Sequence, residues 1–261
     1  MTELEIHFAA DALWHYWQQK LRTPQLPEHS RPADRSEGYA IQSKLVELSG
    51  QHVAGWKIAA TSLAGQTHIR VDGPLAGRLL SERILESGSA ISLSGNLMRV
   101  AEAEFAFRFR RDLRKRKDRY SLDEVLDAVE SLHVAIEVPD SRYEDYTVVG
   151  APQLIADNAC ADWFTLGMPA QADWRELDLA EHEVKGYRNG ELIATGRGAN
   201  VLGDPRIALH WIANELNQFG DGLLAQQVVT TGTCLTPIPV GPGDLVRMDF
   251  GVFGSVEAQF S

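Results

Sequence analysis

The segment from Val100 to Phe109 constrains this chain most, because its side chains alternate strictly between two kinds. Ala103, Phe105, Phe107 and Phe109 fall on one side of an extended backbone, and Glu102, Glu104, Ala106 and Arg108 on the other, since successive strand residues point to opposite faces. A helix would scatter the aromatic residues around its circumference. The pattern therefore predicts a strand with an aromatic core face. Its other face carries two acids whose Cα atoms lie about 7 Å apart, from a rise of ~3.3 Å per residue. Two like charges beside aromatic surface are costly unless something compensates them. A divalent cation is the simplest compensation. Solvent on a half-exposed sheet is the other, and the Glu-x-Glu pair alone fits both.

A third carboxylate follows on a second apolar strand. His133 to Val138 reads as extended, with Glu137 near its end before the turn-prone Pro139-Asp140. Three carboxylates with no nearby Cys or His ligand favour a hard ion, Mg²⁺ or Mn²⁺, over zinc. Lys57 sits within another apolar run, Val53 to Ala60. A lysine there either snorkels from an edge or serves as an acid, a base or a cation for a substrate carboxylate.

Around these strands the chain reads as α+β: a small N-terminal helical region, residues 1–50, on a β-rich body, residues 51–261. Glu3 to Leu21 carries apolar residues at helical spacing, and a second helical pattern runs from Ser36 to a stop at Gly50. Ser121-Leu-Asp-Glu124 is a capping box that predicts a helix to about Ser131. Asp204-Pro205 opens a largely apolar helix that ends at Gly220. Val228 to Gly232 and Leu245 to Ser261 are further strands. The basic run Arg110 to Arg119 reads as a solvated loop.

Charge narrows the partners. A net charge of -11 argues against nucleic acid and against an anionic membrane. It leaves an anionic substrate open, because a bound cation reverses the local field. Cys160 and Cys234 form no CxxC pair or disulfide framework, and the chain starts with an acidic amphipathic segment. The expectation is a reducing cytoplasm. No apolar run approaches the ~20 residues of a membrane helix.

The ordered segments Gly55-Trp-Lys-Ile-Ala-Ala-Thr-Ser62, Ala101-Glu-Ala-Glu104, Glu137-Val-Pro-Asp-Ser-Arg-Tyr143, Ala156-Asp-Asn-Ala159, Gly196-Arg-Gly198, Leu202-Gly-Asp-Pro205 and Thr231-Gly232 resemble the 2-oxopent-4-enoate (2-hydroxypentadienoate) hydratases. The 4-oxalocrotonate decarboxylases share that order, and both groups belong to the fumarylacetoacetate hydrolase-like superfamily. The resemblance implies a mixed, rolled sheet and a homo-oligomer. It implies that Glu102, Glu104 and Glu137 bind Mg²⁺ or Mn²⁺ and that Lys57 is catalytic. Arg142, Asn158 and Thr231 become substrate-binding candidates, although Arg142 equally suits a structural brace for Asp140 or Glu144.

The implied reaction is hydration of 2-hydroxypenta-2,4-dienoate, or a close analogue, to a 4-hydroxy-2-oxoacid in aromatic meta-cleavage catabolism. The alternatives are a 4-oxalocrotonate-type decarboxylase, a C–C hydrolase or tautomerase, and a non-catalytic partner subunit of an active paralogue. Two departures bear on this choice. The hydratases resemble one another in a Pro-Asp-x-Gly segment, where this chain has Pro74-Leu75-Ala76-Gly77, leaving Asp72 as the replacement acid. Cys160 stands where the resemblance leads one to expect Ser.

Overall fold

The computed structural model describes residues 1–261. Helix α1 (Glu3–Gln19) opens at a capping box, in which Thr2 and Glu5 each accept the other's backbone N–H. Helix α2 (Arg35–Ser49) starts at the Asp34 cap and ends at Gly50, where φ is 65°; a residue without Cβ adopts that angle at no steric cost. The two helices bury Ala9, Leu13, Ile41 and Leu45 against each other and take Leu80, Tyr143 and Ala156 of the body into the same cluster.

The body begins with β1 (Val53–Ala59), α3 (Leu63–His68), β2 (Leu75–Leu80), β3 (Ile84–Glu86), β4 (Ala90–Ile91) and β5 (Val100–Phe109). There follow β6 (Leu113–Arg114), α4 (Leu122–Asp127), β7 (Val129–Val138), α5 (Ala151–Ala156), β8 (Trp163–Pro169), β9 (Glu183–Arg188) and β10 (Glu191–Arg197). The chain closes with α6 (Pro205–Phe219), β11 (Gly222–Leu223), β12 (Val228–Thr233), β13 (Ile238–Pro239), β14 (Leu245–Asp249) and β15 (Ser255–Phe260).

The main sheet runs β2-β1-β12-β5-β7-β8-β3, with β13 pairing the start of β5. The β1–β12 and β3–β8 pairs are parallel and the others antiparallel. Its first and last strands, β2 and β3, are joined only by Ser81–Arg83. Three residues span roughly 10 Å at most, so the sheet must curl until its margins nearly meet. This is the mixed, rolled sheet that the resemblance implies.

The inside of the roll is small and apolar at one end, where Leu79, Ala106, Ala135, Phe164 and Val228 meet from five strands. On the outside, Ala103, Phe105, Phe107 and Phe109 enter the main core. A second sheet, β10-β9-β14-β15-β4, contributes Val246, Met248, Val256 and Ala258 to that core, and α6 contributes Leu209, Ile212 and Leu216. Helix α6 is amphipathic and begins as predicted, with the Asp204 side chain accepting from Arg206 N and Pro205 in its first turn. No helix is long and apolar enough to cross a membrane.

Two expectations are corrected. The helix after Ser121 stops at Asp127 rather than Ser131, and β7 starts at Val129 rather than His133. The reason is the ladder: Val129 already pairs with Phe109, and pairing continues to Glu137 opposite Glu102. One more helical turn would strip β5 of its partners at Arg108 and Phe109. The basic run is exposed as predicted, but acids hold it, with Arg110 and Arg111 on Asp127 and Arg116 on Glu124.

Candidate active site

The antiparallel register of β5 and β7 places Glu102 directly opposite Glu137, with Glu104 two residues along the same face. One carboxylate oxygen from each of the three lies within 4.8 Å of the others. Glu104 is fully buried and Glu137 is 1% exposed. Glu102 opens partly onto a cavity. Strand β12 brings Thr230, whose hydroxyl donates to Glu104 Oε2, and Gly232 N–H donates to the same oxygen at 2.8 Å. Glu104 Oε1 and Glu137 Oε2 are buried without a donor, and Glu137 Oε1 meets only the Lys57 ammonium.

Lys57 arrives from the parallel neighbour. Its partner on β12 is Thr230, so it stands on the inner face of the roll. Its Nζ lies 2.8 Å from Glu137 Oε1 and donates to Ala159 O at 2.9 Å. Ala159 is the middle of three successive residues in the left-handed region, Asn158, Ala159 and Cys160, with φ of 55°, 49° and 61°. Residues with a Cβ resist that region, at roughly 1–3 kcal/mol each. The turn is held by the Asn158 amide, which accepts from Arg78 N at 2.6 Å and donates to Arg78 O at 2.8 Å.

The electrostatics follow from burial. Desolvation and the Glu137 charge push the Glu102 carboxyl up to about 7, against the opposing pull of Lys57. Glu104 is held well above the carboxylate range for the same first reason, with Glu137 and Glu102 adding to it. Burial draws the Lys57 ammonium down, but Glu137 and Glu102 outweigh it and leave the group raised. Burial pushes the Cys160 thiol up to about 12. A single lysine thus faces three acids, more than it can keep ionised inside the fold.

Such a set fits a divalent ion. Buried oxygens without donors are rare in native proteins, and hard cations take carboxylate oxygens as ligands. Above the triad lies a cavity of about 660 Å³, about half of whose lining residues are apolar.

Residues 80–261 match the family described as fumarylacetoacetate (FAA) hydrolase C-terminal. The chain belongs to the fumarylacetoacetate hydrolase family. The 2-keto-4-pentenoate hydratase of Paraburkholderia xenovorans (strain LB400) is 31% identical over 264 residues, covering 100% of this chain and 96% of the relative. The 2-hydroxyhexa-2,4-dienoate hydratase of Comamonas testosteroni is 33% identical over 220 residues, covering 84% and 82%. Among solved structures, 4-oxalocrotonate decarboxylase from Pseudomonas putida G7, complexed with magnesium and adipate, superposes with a TM-score of 0.88. It is 27% identical over 100% of this chain and 99% of that one.

Within this fumarylacetoacetate hydrolase fold, the residues singled out from sequence divide sharply. The structure brings together Lys57, Glu102, Glu104 and Glu137. It leaves Asp72 exposed on the turn after α3 and outside the cavity lining. Arg142 is buried and fully engaged: Nε pairs with Asp157, Nη1 donates to Ala161 O at 3.1 Å, and Nη2 donates to Asp157 O. It braces Asp157, whereas Asp140 is held by Arg22 and Glu144 takes no part. The Asn158 amide is spent on β2, and Thr231 donates to Phe105 O at 3.1 Å. None of these three lines the cavity. His133 bonds Ser131 and Gly167 O, away from the triad, as a satisfied core histidine.

Sequence reasoning missed the cavity wall. Thr61, His68, Tyr146, Asn200 and Thr233 are polar groups on it; all but Thr233, the last residue of β12, come from loops, a short turn or a six-residue helix that no periodicity marks. Leu75 and Cys160, noted as departures, both line the cavity.

Proposed function

We propose that this chain is a lyase of the hydratase type. It adds water to 2-hydroxypenta-2,4-dienoate or a close analogue to give a 4-hydroxy-2-oxoacid. The observation that carries the reading is the set of donor-free buried carboxylate oxygens beside a charged Lys57 at the base of the cavity. Glu102, Glu104 and Glu137 hold Mg²⁺ or Mn²⁺, which when bound supplies a Lewis acid for the substrate's C2 oxygen and carboxylate. The functional unit is a homo-oligomer.

The protein's own groups do the rest. Thr230 and Gly232 N–H fix the Glu104 carboxylate in one orientation. Lys57 has three donors, and Ala159 O and Glu137 engage two directions, leaving one toward the cavity that Lys57 lines. It therefore holds a proton next to the dienol. In the first stage the dienol proton leaves O2 and a proton arrives at C5, giving the 3-enone. In the second, water bonds through oxygen at C4 and its proton ends on C3. One water is consumed and nothing is oxidised. The apolar wall keeps bulk water from competing.

Incubation with freshly generated 2-hydroxypenta-2,4-dienoate and Mg²⁺, followed by loss of ultraviolet absorbance, tests the reading; no turnover at millimolar Mg²⁺ sinks it. Leu75 in the cavity wall favours one second reading, decarboxylation of a 4-oxalocrotonate-type acid, because no acid but Glu102 lines the cavity to direct a water. Carbon dioxide release from 4-oxalocrotonate distinguishes the two.

A further inference from the structure

We infer that the preferred substrate of this site carries an extended apolar group beyond C5 of the dienoate, and that a second carboxylate there is rejected. The inference rests on the hydratase reading and concerns the far side of the same cavity. The first observation is volume. At about 30 Å³ per heavy atom, a water's generous share of liquid volume, the bare five-carbon acid fills about 240 Å³. The cavity holds about 660 Å³. Most of it lies idle if the acid ends at C5.

The second observation is the chemistry of the wall. Moving back along β5 from Glu102, Val100 lies on the same face, and Met98 follows. Leu75 pairs with Ala59 at the end of β1, two residues past Lys57. Leu154 of α5 and Leu235 of the loop after β12 complete a surface of aliphatic side chains.

The third observation is charge. No arginine lines the cavity, and its one lysine, Lys57, is already opposed to Glu137. His68 stands exposed on α3, with Nε2 3.4 Å from the Tyr146 hydroxyl. A carboxylate placed among Leu75, Met98, Val100, Leu154 and Leu235 loses its water and gains no cation. An alkyl or aryl group in the same place loses nothing it needs.

The test is a series of 2-hydroxydienoates bearing hydrogen, methyl or butyl on C5, with one of butyl-like length ending in a carboxylate, all with Mg²⁺. The expected result is a gain in kcat/KM of about fourfold per added methylene. The dicarboxylate should fall at least 100-fold below its alkyl counterpart. Met98→Arg, which offers the missing cation, should narrow or reverse that ratio. Saturated 2-oxo acids with the same tails, titrated calorimetrically into the Mg²⁺-loaded protein, give a readout independent of turnover. Turnover of the five-carbon acid with a flat or falling tail series, or with the dicarboxylate preferred, overturns the inference and leaves the hydratase reading intact. Tail-dependent binding of the 2-oxo acids with no turnover of any dienoate supports the inference and overturns the reaction. Neither binding nor turnover overturns both.

Discussion

At the scale of single residues, Glu104 carries the largest consequence. It is fully buried, with one oxygen held by Thr230 and Gly232 and the other without a donor. Glu104→Gln keeps the shape but removes a negative ligand. Millimolar Mg²⁺ should raise the melting temperature of the unaltered protein, as any ligand bound only by the native state does, and this shift should vanish in Glu104→Gln. An equal shift in both proteins contradicts the metal site. Lys57→Met separates binding from proton transfer. It should cut kcat by about 10²–10⁴-fold while the Mg²⁺-induced shift remains; an unchanged kcat excludes Lys57 from the reaction.

Arg142 is an opposite case, since both it and Asp157 are at most 1% exposed. Arg142→Met strands a buried carboxylate and should destabilise the fold by about 3–5 kcal/mol in urea unfolding; a neutral outcome refutes the brace. The sequence made Glu102, Glu104 and Lys57 visible because strand alternation alone sets which face a side chain takes. Nothing local revealed that Arg142 would turn inward to Asp157. That pairing depends on the turn at 158–160, whose left-handed angles no Gly announces. Asp72 shows the same limit: its spacing from Pro74 is readable, but the direction of a turn side chain is not.

At the scale of elements, the contact between β2 and the 158–160 turn is the tightest joint near the site. A Cβ on Gly77 would lie 2.2 Å from Asn158 O. Backbone cannot retreat as a flexible side chain does, so Gly77→Ala should cost about 1–3 kcal/mol and loosen the Ala159 carbonyl from Lys57. A stable, fully active variant would show that the joint is soft. Helix α4 offers a pH test away from the site. Arg116 and the Ser121 cap hold the Glu124 carboxyl down at about 2, from an ordinary 4.5. A depressed acid stabilises the fold above its unfolded value and ceases to as pH falls through its folded one. The amides of α4 should therefore exchange faster with solvent as pH drops from about 4.5 toward 2, after correction for intrinsic rates, and Arg116→Ala, which lets the folded value rise toward 4.5, should shrink that increase. Helices α1, α2 and α6 were legible from caps and periodicity. Strand β2, α3 and α5 were not, because short elements buried on several sides carry no period.

At the scale of the whole molecule, the fold was legible chiefly through the order of its motifs; composition bounded it only loosely. What no stretch of sequence displayed was closure, the joining of β2 to β3 across three residues after the sheet has passed through five other strands. That closure has a consequence for synthesis on the ribosome. Strand β12 sits between β1 and β5, yet it is translated long after both. The nascent chain already possesses all three glutamates when Glu137 emerges, but the strand that seats Lys57 against them does not exist. Until Val228–Thr233 leaves the exit tunnel, β1 and β5 share no neighbour. The carboxylates must wait, open to water, for the strand that encloses them.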